Sequence, residues 1–218
     1  MTMTDQPRPV NAKRSYDAPR RRRQAQRNRD AIITAAERRF LSGGYAATTV
    51  ASIATEAGVS THTIYKSFGG KPGLVRSIRA RALEGEGPIP AEQRSDQLHT
   101  PDADAATIID GWGALTAEVA PLVAPILLLV RDAAATDAEV QALQEELDAD
   151  RLHRMTDNAR RLLQTGQVRP GVDLEQVADL LWTYTAPELF ELVVTRRRWP
   201  ITAYANFIAQ ALTRALLE

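Results

Sequence analysis

Residues Thr61, His62, Thr63, Tyr65 and Lys66 place short hydrogen-bonding groups, a phenol and an ammonium within six positions, with no acid among them. Side chains of this kind read base edges in a major groove, and Tyr65 and Lys66 reach phosphate oxygens or a thymine methyl. Ser60 stands in front of the set as a capping residue. Lys71 follows Gly69-Gly70 at a helix start, where an ammonium and a backbone amide together hold one phosphate. Other chemistry has little to work with. The chain contains no cysteine, which removes thiolate metal sites and cysteine nucleophiles. His62, His99 and His153 are dispersed and form no HExxH-like pair. No glycine-rich phosphate loop or nucleophile elbow appears. Glu145, Glu146, Asp148 and Asp150 bracket Leu147 and read as a solvated helix face. The expectation is therefore a protein without catalytic residues, metal or cofactor. An enzyme built on an acid–base pair such as Glu118 and Asp132 has no motif behind it.

The charge distribution points the same way. Formal net charge is +0 over 218 residues, yet residues 1–82 hold 16 Lys+Arg and 5 Asp+Glu, whereas residues 83–218 hold 11 and 22. A basic front end on an acidic remainder predicts a polyanion partner for the front end alone. No apolar run reaches the roughly 20 residues a membrane-spanning helix needs, and no leader with an apolar core is visible. A cytoplasmic protein without a membrane partner is expected.

The reading face needs elements to hold it. Residues 1–24, with Pro7, Pro9, Pro19 and the run Arg20 to Arg23, read as a disordered basic arm, either a solvated tail or one that adds phosphate contacts or enters a minor groove. Ile32, Ile33, Ala36, Phe40 and Leu41 recur at helical spacing and predict a helix from Gln26 to Ser42, stopped by Gly43-Gly44. Thr48-Thr49 caps a second helix, Val50 to Ala57, and Gly58 ends it at a turn suited to positive φ. Ser60 or Thr61 caps a third reaching Phe68. Ile53, Ala54, Val59, Ile64 and Phe68 complete a small core with the spacing of a helix-turn-helix. A fourth helix begins at Lys71-Pro72.

At these residues the sequence resembles the N-terminal domain of TetR-family transcriptional regulators. Ile33, Ala36, Phe40, Gly44-Tyr45, Thr48-Thr49, Ile53-Ala54, Ala57-Gly58-Val59-Ser60, Ile64-Tyr65, Phe68, Lys71 and Leu74 carry the likeness over residues 29–75 without a gap. The resemblance implies that Thr49 caps the second helix beside a phosphate, that Thr61, His62 and Thr63 face bases, and that Tyr65 and Lys71 anchor the backbone. Ala51 stands where family members often carry a long polar base reader, so base reading shifts towards the third helix and the arginine-rich arm.

Residues 85–99 read as a linker between a head at 25–84 and a helical body at 100–218. Thr100-Pro101 opens a fifth helix running through Val119, and Pro121 restarts the chain in a sixth. Thr136 with Glu139 caps the seventh, Asp173 with Gln176 the eighth, which Pro187 kinks, and the last starts near Thr202. The expectation is an all-α fold of about nine helices. Trp112, Leu115, Glu118, Val119, Ile126, Met155, Trp182 and Tyr184 are the candidate lining of an apolar ligand site. Leu189, Val193, Tyr204, Phe207, Ile208, Leu212 and Leu216 give the terminal helices a large apolar face. In the resembled family such helices pair into a homodimer. The resemblance then implies a repressor released from a palindromic operator of double-stranded DNA by a small-molecule effector. The alternative is a sequence-tolerant architectural DNA-binding protein without an effector.

Overall fold

Arginine, glutamine and alanine dominate the first described residues, and all three favour helix. Helix α1 (Ala18–Gly43) accordingly begins well before the apolar stripe that predicted it. The computed structural model of the chain describes residues 18–85, 87–100 and 102–218. The arm expected over residues 1–24 lies outside the described residues up to residue 17. From residue 18 it is corrected: the arginine run forms the opening turns of α1, extended by side-chain bonds from Gln24 to Asn28 (2.9 Å) and from Gln26 to Asp30 (2.8 Å).

The head follows the sequence closely. Helix α2 (Val50–Ala57) is capped by Thr49, whose hydroxyl accepts from the Ser52 amide at 3.1 Å. Gly58 closes it with φ 67°, a conformation that favours glycine. Helix α3 (Thr61–Phe68) is capped by Ser60, whose Oγ accepts from the Thr63 amide at 3.2 Å. Helix α4 (Lys71–Glu84) starts with proline in its first turn. Ile32, Ala36, Phe40, Ile53, Ile64, Leu74 and Ile78 are buried together. Leu41, placed on the apolar stripe by spacing, is exposed instead.

The linker is corrected too. It contains α5 (Ala91–Gln97), which buries Ala91 and Ser95. Arg94 grips Glu118 with both terminal nitrogens, and Trp112 donates its indole N–H to Ser95 Oγ at 3.1 Å. These anchors hold a segment whose composition alone offers no apolar stripe. The cap foreseen at Thr100-Pro101 is not used. Asp104 caps α6 (Ala105–Ala134) through the Thr107 amide, and Pro101 is outside the described residues.

Pro121 does not divide this part of the chain. Helix α6 runs through both Pro121 and Pro125. Each proline removes one helical donor, but the faces on either side are held by Ile108, Ile109, Trp112, Ala120, Ala124, Ile126 and Val130, all buried. The continuous helix is long and apolar enough by composition to cross a membrane. In the fold it is the central helix, packed against α4, α7 (Ala138–Leu163), α9 (Pro187–Phe190) and α10 (Ile201–Leu216). Helix α7 is capped by Asp137, not by Thr136, because its carboxylate reaches the amides of Glu139 (3.0 Å) and Val140 (3.3 Å). Helix α8 (Leu174–Tyr184) has the expected reciprocal cap between Asp173 and Gln176. The chain turns at Thr185 and Ala186, so Pro187 begins a new element where a kink was expected; α9 runs on into a π-helical segment, Glu191–Arg196.

The described residues thus form an all-helical fold with no strand. Ile126 and Val130 of α6, with Val140, Leu143 and Leu147 of α7, join the head's apolar cluster. Further along the chain, α6 to α10 build a second cluster around Trp112, Leu162, Leu181, Tyr204 and Ile208. Helices α6 and α7 belong to both.

Candidate nucleic-acid interface and interior cavity

Helix α3 buries Ile64 and Phe68 and leaves Thr61, His62, Tyr65 and Lys66 exposed. Tyr65 is 57% exposed, an unusual position for a ring that could otherwise be buried. Thr63 is half-buried and shares a 2.9 Å hydroxyl contact with Ser60. Ser60 and Thr49 spend their oxygens on the caps of α3 and α2, which places both beside free helix N-termini. The outer face of α3 therefore combines donors, acceptors and one ammonium without a carboxylate of its own.

Lys71 is placed differently from the expectation of a free phosphate anchor. Its Nζ donates to the Tyr45 carbonyl at 2.8 Å and lies 4.1 Å from the centre of the Tyr45 ring. Burial lowers its pKa, opposed by Asp137 and Glu139. Burial also pushes the Tyr45 hydroxyl up to about 12, and its ring stacks on Phe40 at 5.4 Å. Lys71 thus ties the start of α4 to the turn after α1. Gly73 supports the same junction: a Cβ there would lie 1.6 Å from the Phe68 carbonyl oxygen, so the end of α3 meets α4 only because residue 73 lacks a side chain. On the α1 side, Arg38 and Arg39 both clamp Glu56 of α2, and Arg38 is the main cause of its lowered carboxylate pKa. Arg29 stands 4.7 Å over the Phe68 ring. The sequence reading named neither Gly73 nor these clamps, because nothing in local spacing reports a contact between helices.

A cavity of about 540 Å³ opens among α4 to α8, α9 and α10. One wall is a single face of α6: Trp112, Leu115, Thr116, Val119, Ala120, Val123, Ala124 and Leu127. Four of the expected ligand residues line it, namely Trp112, Leu115, Val119 and Met155. The other four do not. Ile126 is packed in the head's cluster. Glu118 is held by Arg94. Trp182 lies under the Arg151 guanidinium at 4.2 Å, and Tyr184 packs edge-on against Phe207 at 6.0 Å. Lining residues the sequence did not single out include Arg79 of α4, Ser95 of α5, and Arg151, Arg154 and Asn158 of α7. Asn158 is buried, and its Oδ1 finds no donor among the described residues.

Of the expected dimer face, Val193, Tyr204, Ile208, Leu212 and Leu216 are buried within the chain's own core. The helical spacing was right, but it marks the side turned inward. Burial holds the Tyr204 hydroxyl above its usual range, and its ring meets Phe190 at 5.7 Å. Leu189 and Phe207 remain half-exposed, and Leu192 is 53% exposed.

Residues 32–78 match the model of the family described as bacterial regulatory proteins, tetR family. No curated protein matches the chain by sequence. Solved structures share the fold over nearly the whole chain. NalD from Pseudomonas aeruginosa, the secondary repressor of the MexAB-OprM multidrug efflux pump, aligns at 20% identity and a TM-score of 0.67, covering 88% of this chain and 98% of its own. SmeT in its complex with triclosan aligns at 22% identity and 0.66, covering 88% and 92%. The transcriptional regulator FadR from Bacillus subtilis, in complex with stearoyl-CoA, aligns at 20% and 0.64, covering 86% and 98%.

Proposed function

With residues 32–78 a TetR-family DNA-binding domain set on a TetR-like helical body, we propose that the chain is a homodimeric repressor released from a palindromic operator by a small molecule. The observation that carries this reading is the exposed, acid-free face of α3 at Thr61, His62, Tyr65 and Lys66. Thr61, His62 and Thr63 read bases; Thr49, Ser60, Tyr65 and Lys66 meet the phosphate backbone; Lys71 keeps α4 in place behind them. The exposed arginines of α1 add sequence-independent attraction.

The chain works as a head, residues 25–84, and a body, residues 100–218, that receives the effector in the 540 Å³ cavity. A repressor and ligand complexes among the solved relatives support that division of labour. Two copies pair through the half-exposed apolar side of α8, α9, the π-helical segment and α10, with Tyr184, Leu189, Leu192 and Phe207 at the contact. Two-fold symmetry then sets the heads about 34 Å apart, one turn of DNA.

A mobility-shift titration on the DNA flanking the gene tests this, with scrambled DNA as competitor. Binding that survives the competitor and weakens steeply with salt supports a specific regulator. Equal affinity for the scrambled duplex identifies an architectural protein instead.

A further inference from the structure

The cavity's charge is arranged unevenly. Arg79, Arg151 and Arg154 are its most enclosed ionic groups, with side chains 18%, 13% and 21% exposed. The acids that line or flank it lie further out: Asp150 is 57% exposed and Glu92 67%. Arg154 is matched by Asp96 at 2.9 Å and by Glu92 at 3.4 Å, and Asp157 is taken by Arg160 and His153. Arg79 has Asp150 at 2.9 Å, a partner largely in water, and exposed pairs of this kind are weak.

Arg151 is the least compensated. Its nearest carboxylate, Asp148, is 3.8 Å away. Its guanidinium bonds instead to the neutral Trp182 carbonyl and Thr185 hydroxyl and lies over the Trp182 ring. Its Nε–H is buried and finds no acceptor among the described residues. Burial is the main cause that lowers its hold on a proton, and the positive charge of Arg79 adds to that. Two cations that repel one another at a cavity wall, one with an orphaned donor, favour an anion between them.

Beyond them the wall changes character. From Trp112 to Leu127 the α6 face is apolar except for Thr116, and spans roughly 22 Å at about 1.5 Å per residue. Resting on the effector-cavity reading given above, we infer that the effector is an amphipathic anion: one carboxylate-like head held by Arg151 and Arg79, and an unbranched or slender apolar body laid along α6. The head competes with Asp150 for Arg79. That ion pair joins α4 to α7 beside the Arg76–Glu146 pair, so occupancy removes one of the ionic ties between head and body.

Three probes with one tail and different heads decide the matter: decanoate, 1-decanol and decyltrimethylammonium, titrated into the full chain without DNA and followed by calorimetry and by tryptophan fluorescence. Decanoate should bind about ten- to a hundredfold more tightly than 1-decanol, the range that a hydrogen bond to a charged group provides. Arg151→Met should remove most of that preference while leaving 1-decanol binding intact, and Arg79→Gln should reduce it. The second substitution keeps the test valid if the first impairs folding. Equal or tighter binding of the alcohol or the ammonium, no decanoate binding, or a preference unchanged in both variants would overturn the inference. Adding operator DNA separates the two claims. Decanoate that saturates the cavity but leaves DNA binding unchanged sinks the effector-release reading and supports the ligand class. DNA binding that stays intact with no decanoate bound sinks the ligand class alone.

Discussion

Tyr65 and Lys71 are six positions apart, and the sequence assigns both to the DNA backbone. Their surroundings separate them. Tyr65 projects into solvent, whereas Lys71 is occupied by the Tyr45 carbonyl and ring. Removing an exposed side chain with no structural task changes stability by under about 0.5 kcal/mol. Tyr65→Ala should therefore melt like the wild type while binding operator at least several-fold more weakly, as read by mobility shift against thermal melts of the free protein. Lys71→Met deletes a partly buried hydrogen bond from a charged donor, worth about 1.5–3 kcal/mol. It should lower the melting temperature and weaken DNA binding through the displaced α4. A Lys71→Met protein with wild-type stability and lost DNA binding would reinstate Lys71 as a direct phosphate contact. The difference was invisible in the sequence because Tyr45 and Lys71 meet only across the α1–α4 junction.

Among the elements, those ended by strong local signals were legible and those held by distant contacts were not. Thr49, Gly58, Ser60 and Gly69 act within a few residues of themselves, and α2 and α3 follow them closely. The prolines of α6 are equally strong signals, yet the helix continues because buried neighbours outweigh two lost donors. Helix α5 shows the converse: its sequence is linker-like and its order comes from Arg94, Ser95 and Asp96 reaching α6 and α7. Half of the expected ligand residues line the cavity for the same reason. Apolar periodicity on α6 points inward, whereas the arginines of α7 look like surface charge until α4 and α5 cover them. Gly73 gives the sharpest test at this scale. A methyl group at residue 73 collides with backbone, which has no rotamer through which to yield. Gly73→Ala should cost more than the roughly 1–3 kcal/mol typical of overpacking. It should abolish DNA binding and shift the melt strongly, whereas Gly171→Ala, strained at φ 87° but open to solvent, should leave DNA binding intact.

Across the whole molecule, α6 and α7 contribute to both apolar clusters, which makes them the path by which a disturbance in the body would reach the head. A pH dependence of stability is expected from the same architecture. His99 packs its ring 5.5 Å from that of Trp112, and its Nε2 is buried without an acceptor or donor among the described residues. Burial first, then Arg161, lowers its pKa below the ordinary 6.5; Asp96 opposes them, and Arg154 adds to the lowering. The folded chain therefore resists the proton that the unfolded chain accepts near 6.5. Stability from this site is present above that pH and is lost as pH falls through the window down to the folded pKa. The carboxylates act in a different window. Arg76 holds Glu146 below its ordinary 4.5, and Arg196 with Arg131 does the same for Glu191. Their contribution is present above 4.5 and lost below it as the folded groups take up protons. Thermal melts from pH 7.5 to 3.5 should thus fall in two stages. His99→Gln should flatten the upper stage and leave the lower one. Because His99 closely follows α5, which carries Ser95 at the cavity wall, the upper stage should be accompanied by weaker ligand binding in the wild type but not in the variant. A variant that keeps the full pH 7 to 5 slope would place the titration elsewhere and remove His99 from this account.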